Sequence, residues 1–171
     1  VNMRIGKQER RTRETEICVT IDLDGSGKAK IATGVGFLDH MLNSFAVHGR
    51  FDLEVVVEKS DLEIDCHHTV EDTGIVLGKA IGEALGDKAG IARFGSFYIP
   101  MDEALSFAAV DISGRPFLVY DNVHKNEMIG NYETDMTEEF FRAVAFNAGM
   151  TLHLKSLYGT NDHHRIEAMF K

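Results

Sequence analysis

Apolar residues recur at three- and four-residue spacing in GFLDHMLNSFAVHG (36–49) and EEFFRAVAFNAGM (138–150), and this period predicts a helix over each. A third helix is predicted over HHTVEDTGIVLGKAIGEAL (67–85), with Val70, Ile75, Leu77, Ile81 and Leu85 on its apolar face and a stop near Gly86. Period-two alternation marks strands instead. EICVTIDL runs into a DGSG turn at 24–27 and KAKIATG returns, which predicts a hairpin, and FDLEVVVEK (51–59) is a further strand. RFGSFYIPM, ALSFAAVDI, RPFLVYDNV and MTLHLKSLYG read as strands too, with a turn at the GRP of 114–116.

The chain is written twice. His67, His68 and Glu71 recur 96 residues later as His163, His164 and Glu167, and each half runs strands, helix, strand, helix. This order predicts an α+β protein in which two repeated half-domains, each a mixed or mainly antiparallel sheet covered by two helices, form one domain over 1–171, with repeats at 10–90 and 91–171. The helix after the first doublet continues for more than ten residues, whereas the one after the second reaches Lys171 within about two turns. The native chain is therefore expected to continue past Lys171, and Met3 to be its natural start, with Val1 and Asn2 left by cloning.

With 44% hydrophobic and 26% charged residues, the chain falls among globular proteins able to bury a core. A formal charge of -9 repels polyanions, which argues against nucleic acid. No apolar run approaches the ~20 residues that cross a bilayer, and the polar start lacks the apolar middle of a secretion signal. Cys18 and Cys66 are too few for a disulfide framework. The expectation is a cytoplasmic protein without a membrane partner, or a plastid one were the source a plant whose transit peptide has been removed.

One HHxxE among eight histidines is most simply an accident of the surface, but two copies in register are hard to explain that way. On a helix, residues three and four apart share a face, so Glu71 serves His67 and lies near His68. Adjacent histidines point ~100° apart and do not readily chelate one ion together. A doublet therefore feeds two sites, or one site here and another across a subunit boundary. Aligning the upstream helices sets His40 opposite Glu139, which gives the ligand set His40, His67, His68, Glu71, Glu139, His163, His164 and Glu167. Imidazole and carboxylate without thiolate suit Mn, Fe(II) or Zn, and argue against a closed structural zinc site. The same ligands would also serve a binuclear metallohydrolase. His153, inside TLHL, is expected to be a satisfied core histidine, His124 to be solvated, and Cys66 to pack as a small apolar residue. Asp39, Asp65, Asp72 and Asp162 are candidates to accept from imidazole N–H groups.

The stretches RTRETEI, GVGFLDHML, DCHHTVEDTGIVLG, IPMDEAL, DISGRPFL, EEFFRA, NAGMTLH and NDHHRIEAMFK together resemble the imidazoleglycerol-phosphate dehydratases of histidine biosynthesis over nearly the whole chain. The resemblance implies two Mn2+ per active site and trimers assembled into a hollow homo-oligomer of 24 subunits, with metals at the subunit boundaries. Its ligand pattern falls on the same eight positions, although many members carry histidine where this chain has Glu139. It implies substrate contacts at Glu14, Arg93, Arg115 and Lys171. His48, which the repeat leaves over, joins them as a substrate-binding candidate. The chain stops short of the family's C-terminal extension, which adds serine and lysine contacts to phosphate.

The implied reaction dehydrates a phosphorylated imidazole diol to a ketone. The hydrogen to be removed has no carbonyl beside it, so electrons must come from the ring, as a metal-stabilised imidazolate that expels the hydroxyl to leave a diazafulvene-like intermediate. A titratable group must then carry protons. Glu14 is the first candidate, with Glu71 and Glu167 as metal-bound alternatives.

Overall fold

Fourteen elements follow one another in the computed structural model, which describes residues 3–171; the expected cloning residues Val1 and Asn2 lie outside the described residues. In the first half these are β1 (Ile5–Arg11), β2 (Glu16–Asp22), β3 (Ala29–Ala32), α1 (Gly36–Gly49), β4 (Asp52–Lys59) and α2 (His67–Leu85). The second half holds β5 (Phe94–Met101), β6 (Ala104–Asp111), β7 (Phe117–Asp121), β8 (Met128–Ile129), β9 (Tyr132–Glu133), α3 (Met136–Ala148), β10 (Thr151–Tyr158) and α4 (Asp162–Phe170).

Two four-stranded sheets form, in the orders β1-β2-β4-β3 and β5-β6-β10-β7. Numbered within its own half, each sheet has the same order, with the fourth strand inserted beside the second and the third placed at the edge. The expected α+β architecture of two repeated halves is therefore present. The α1 and α2 helices lie on the first sheet, α3 and α4 on the second, and the helices meet between them, α2 along α3 and α1 against α4. Ile17, Val19, Ile21, Leu53 and Val55 of the first sheet face this layer, where Leu38, Met41, Leu42, Phe140 and Ile166 are buried.

The predicted hairpin through DGSG does not form. The β3 strand runs parallel to β4, and β4 lies between it and β2. Alternation marks a strand without naming its partner. Here β2 and β4 match apolar inward faces over Ile17–Asp22, while the Asp52 carboxylate at the head of β4 accepts the backbone N–H groups of Ser26 and Lys28 and carries the loop past that strand.

The α2 helix is not the one-sided helix that its sequence predicts. It is covered by β1 and β2 on one side and α3 on the other, so Thr69, Thr73, Gly74, Val76 and Ala80 are buried beside the expected Val70, Leu77, Ile81 and Leu85, and Ile75 is only half-buried. Glycine makes this close approach possible. A Cβ at Gly78 would stand 2.7 Å from the Val144 carbonyl oxygen and one at Gly74 2.8 Å from that of Phe140. On the other side Gly6 of β1 admits the backbone of α2 at Ala80.

Gly95 is the counterpart of Gly6, in RFG as against RIG, yet only a Val110 methyl stands near it. Beside it an apolar cleft of about 610 Å³ is lined in part by Leu42, Phe45, Ala108, Val110, Leu154 and Phe170. Among the described residues no helix is long and apolar enough to cross a membrane.

Candidate metal and active site

The α1 and α4 helices each bring one end to a common point. The α1 helix begins at Gly36, and Asp39 in its first turn accepts the backbone N–H and hydroxyl of Thr33, which ties the helix start to the end of β3 and sets His40 one residue on. The α4 helix is capped by Asn161, whose side-chain oxygen accepts the His164 backbone N–H. Asp162 is buried against the Arg165 side chain and accepts the backbone N–H groups of Lys125 and Asn126, so the first turn of α4 is held to the loop after β7.

At the meeting point Glu167 Oε2 lies 3.1 Å from His40 Nε2 and 2.9 Å from His163 Nε2. Among the described residues, this trio alone gathers three ligand atoms within 4.8 Å of one another. Lys171 Nζ reaches the other oxygen of Glu167 at 2.8 Å. Burial pushes the Glu167 carboxyl up, but the hydrogen bonds from Lys171 and His163 outweigh it and hold the group below the usual glutamate range. It is a carboxylate ready to ligate. An ion with bonds of about 2.1 Å holds right-angle ligand pairs roughly 3 Å apart, and the two histidine–Glu167 spacings match this, while the His40 and His163 nitrogens lie within 4.8 Å of each other. Two imidazole nitrogens and one carboxylate oxygen are a donor set that first-row divalent ions such as Mn2+, Fe2+ and Zn2+ all accept.

The other doublet repeats half of this arrangement. His67 Nε2 lies 3.2 Å from Glu71 Oε2 across one helical turn, while Asp65 caps the helix start by accepting the His67 backbone N–H. Glu139 stands in the first turn of α3, 3.8 Å from Arg142 Nε, and is not gathered with His67 and Glu71 as His40 is with His163 and Glu167. The second histidine of each doublet turns to a carboxylate outside the predicted set. His68 Nδ1 meets Asp61 Oδ2 at 2.6 Å, and His164 Nδ1 meets Glu103 Oε2 at 2.7 Å. The Asp61 hydrogen bond raises the His68 pKa, and Glu103 is drawn down to about 2, first by His164 and then by the backbone N–H of Asn161.

Glu14 sits in the turn between β1 and β2, its backbone N–H bound to Thr12 Oγ1. Asp72, one residue beyond Glu71, accepts from Thr15 Oγ1 at 2.6 Å and pairs with Arg10 at 3.2 Å, which fastens that turn to α2. Glu14 is thereby close enough to His68 to help raise its pKa, and among the described residues its carboxylate has no hydrogen-bond partner. Arg93 and Arg115 come together elsewhere, at Asp111: Arg93 Nε is 2.6 Å from its carboxylate, and both arginines lower the Asp111 pKa, Arg93 the more. His48 is exposed in the last turn of α1, about 12 Å along the helix from His40 at 1.5 Å per residue.

Several expectations change. None of Asp39, Asp65, Asp72 and Asp162 accepts from an imidazole; they bind backbone N–H groups, a hydroxyl or arginine, and so fix the elements rather than the rings. Asp61 and Glu103 take that part instead, and nothing in local spacing marks Glu103, which lies 61 positions from its histidine. His153 is exposed rather than in the core, because it falls on the outer face of β10. His124 is half-buried, its Nε2 3.0 Å from the Tyr120 hydroxyl, and not solvated. Cys66 is buried as expected, and its sulfur also accepts the Glu133 backbone N–H at 3.3 Å.

A duplicated α+β protein with two imidazole-and-carboxylate clusters at the starts of two equivalent helices is the class that fold and site define. The family profile of imidazoleglycerol-phosphate dehydratase matches residues 33–171. An imidazoleglycerol-phosphate dehydratase of Acetivibrio thermocellus is 65% identical over 162 residues, covering 95% of this chain and 83% of the relative, and that of Methylorubrum populi is 58% identical over 169 residues, covering 99% and 86%. The crystal structure of the Staphylococcus aureus enzyme is similar with a TM-score of 0.87 at 41% identity, over 98% of this chain and 92% of that one. The Pyrococcus furiosus enzyme, solved in complex with (S)-C348, gives a TM-score of 0.82 at 36% identity, over 96% and 87%. The chain belongs to the imidazoleglycerol-phosphate dehydratase family, and it is a hydro-lyase.

Proposed function

We propose that this chain dehydrates imidazoleglycerol phosphate to imidazole acetol phosphate and water, a step of histidine biosynthesis, and that it does so with two Mn2+ ions per active site. The membership of the family supports the substrate and the reaction. The gathering of His40, His163 and Glu167 supports the metal, and it is the observation on which the reading rests.

His40, His163 and Glu167 would hold one ion and His67 and Glu71 the second, with Glu139 turning to it from its contact with Arg142 and with His68 and His164 completing the sets across subunit boundaries. The bound cations would supply positive charge to both sides of the substrate imidazole, favouring its deprotonated form. The remaining work falls to the chain. Glu14, whose carboxylate has no hydrogen-bond partner among the described residues and whose turn is pinned to α2 by Asp72, would move the proton between carbon and the departing hydroxyl. Arg93 and Arg115 carry the planar forks suited to a phosphate, and Lys171 adds a point charge. The arginines converge at Asp111 on the second sheet, so they would serve the active site of a neighbouring subunit.

Assembly into trimers and then a 24-subunit particle accords with the outer face of the second sheet, where Phe94, Tyr98, Phe117 and Val119 are exposed in neighbouring rows. The bacterial relatives support a cytoplasmic location. The deciding experiment is to incubate the Mn2+-loaded protein with imidazoleglycerol phosphate. An enolisable ketone retaining its phosphate is expected; release of inorganic phosphate without ketone would make the protein a metallohydrolase instead.

A further inference from the structure

The two doublets are alike in a respect that the repeat does not account for. In each, the first histidine pairs with the glutamate four residues on, at 3.2 Å and 2.9 Å. In each, the second histidine turns its Nδ1 to a carboxylate outside its own helix, at 2.6 Å and 2.7 Å. Were these carboxylates an inheritance of the duplication, they would occupy equivalent places. They do not. Asp61 follows the fourth strand of its sheet, whereas Glu103 sits in the turn between the first and second strands of the other. The place equivalent to Asp61, after β10, holds Gly159, Thr160 and Asn161, and the place equivalent to Glu103 is the turn that carries Glu14. The same contact has been reached twice from different positions, which points to a requirement of the histidine rather than of the fold.

Each carboxylate is also held for this task. Asp61 is buried, its Oδ1 has no hydrogen-bond partner among the described residues, and Oδ2 is committed to His68. Glu103 accepts the backbone N–H groups of Thr160 at 3.0 Å and Asn161 at 2.8 Å on Oε1, which leaves Oε2 for His164. A carboxylate at Nδ1 fixes the tautomer, so that Nδ1 carries the proton and Nε2 keeps its lone pair. It also sets the ring plane and makes Nε2 a better donor.

We propose that Asp61 and Glu103 are positioning residues for metal binding, each fixing the second histidine of its doublet so that Nε2 alone is offered to an ion. This rests on the metal-dependent reading of the site. It divides the eight predicted ligands into parts. His40, His163 and Glu167 are arranged by one another, whereas His68 and His164 stand outside that trio and are oriented at Nδ1 by Asp61 and Glu103, with Asp102 3.7 Å from the Nε2 of His164.

The test measures Mn2+ binding by the electron paramagnetic resonance signal of the free ion, for the wild-type protein and for Asp61→Ala, Asp61→Asn, Glu103→Ala and Glu103→Gln. The alanine variants are expected to lose about 10- to 100-fold in affinity, the usual effect of removing a partner behind a ligating histidine. The Asn and Gln variants, which keep an oxygen to accept from Nδ1–H, should recover most of it. Turnover at saturating Mn2+ should return toward wild type in every variant that recovers binding. The near-isosteric Asp61→Asn and the exposed Glu103 site guard against a failure of folding, which circular dichroism checks. Two ions bound to wild type and bound equally tightly to both alanine variants would overturn the positioning role while leaving the metal site intact. A wild-type protein that binds no Mn2+ would overturn both, and the two failures are thus distinct.

Discussion

His40 on α1 and Glu167 on α4 stand 127 positions apart in the chain and meet at 3.1 Å. Glu167 is buried and answers two imidazoles and the Lys171 ammonium with one carboxylate. Glu167→Gln keeps the shape and removes the charge, leaving three potential cations around a neutral amide. Mn2+ affinity at this site should fall at least ~100-fold, more than for loss of a residue behind a ligand, and stability should fall by about 1–3 kcal/mol as a buried charged contact is lost. Calorimetric metal titration and urea unfolding of the same samples check both.

Glu14 should behave differently. Its carboxylate is bound to nothing else in the chain among the described residues, so Glu14→Gln should leave metal stoichiometry and melting temperature unchanged while kcat drops by ~10²–10⁴, the range of general acid–base catalysis. Unchanged turnover would remove Glu14 from proton transfer and leave Glu71 and Glu167 as the candidates.

The contact of α2 with α3 gives a prediction about stability alone. A side chain at Gly78 would meet the Val144 carbonyl oxygen, which belongs to the α3 backbone and cannot swing aside. Gly78→Val should cost about 1–3 kcal/mol through overpacking, which for a chain of this length lowers Tm by roughly 2–4 °C per kcal/mol. Metal binding per folded molecule should be preserved, because Gly78 lies about three turns from His67.

His124 predicts a pH dependence. Burial lowers its folded-state pKa below the usual histidine value. As pH falls through about 6.5, the unfolded chain therefore takes up the proton before the folded one, and the fold loses stability; above that pH the contribution is fully present. Between pH 7.5 and 5.5 this contribution lowers the urea midpoint, against the opposite contribution of His68, whose pKa Asp61 raises, and His124→Gln should make the midpoint fall less or rise more over that range. An unchanged slope would show that the Tyr120–His124 contact has no part in it.

Much of this architecture is written in periodicity. Three of the four helices and seven of the ten strands follow from the spacing of apolar residues, and the HHxxE recurrence disclosed the doubling and with it α4. What escaped has physical reasons. The inward position of β1 at the α2 contact is Gly6, so the strand presents no apolar alternation, yet the glycine is there because a helix lies against it. The two-residue strands β8 and β9 are shorter than one alternation can reveal. The partner of β3 depended on a loop pinned by Asp52, and the partners of His68 and His164 on contacts between separate elements. Spacing reports what a residue faces, and long-range pairing decides what it meets.

Diffraction at the manganese absorption edge from Mn2+-loaded crystals tests the central claim most directly. Two anomalous peaks per chain are predicted, one within bonding distance of His40, His163 and Glu167 and the other beside His67 and Glu71, each approached by the second histidine of a doublet from an adjoining subunit. Peaks away from these side chains, or none at full metal loading, would contradict it.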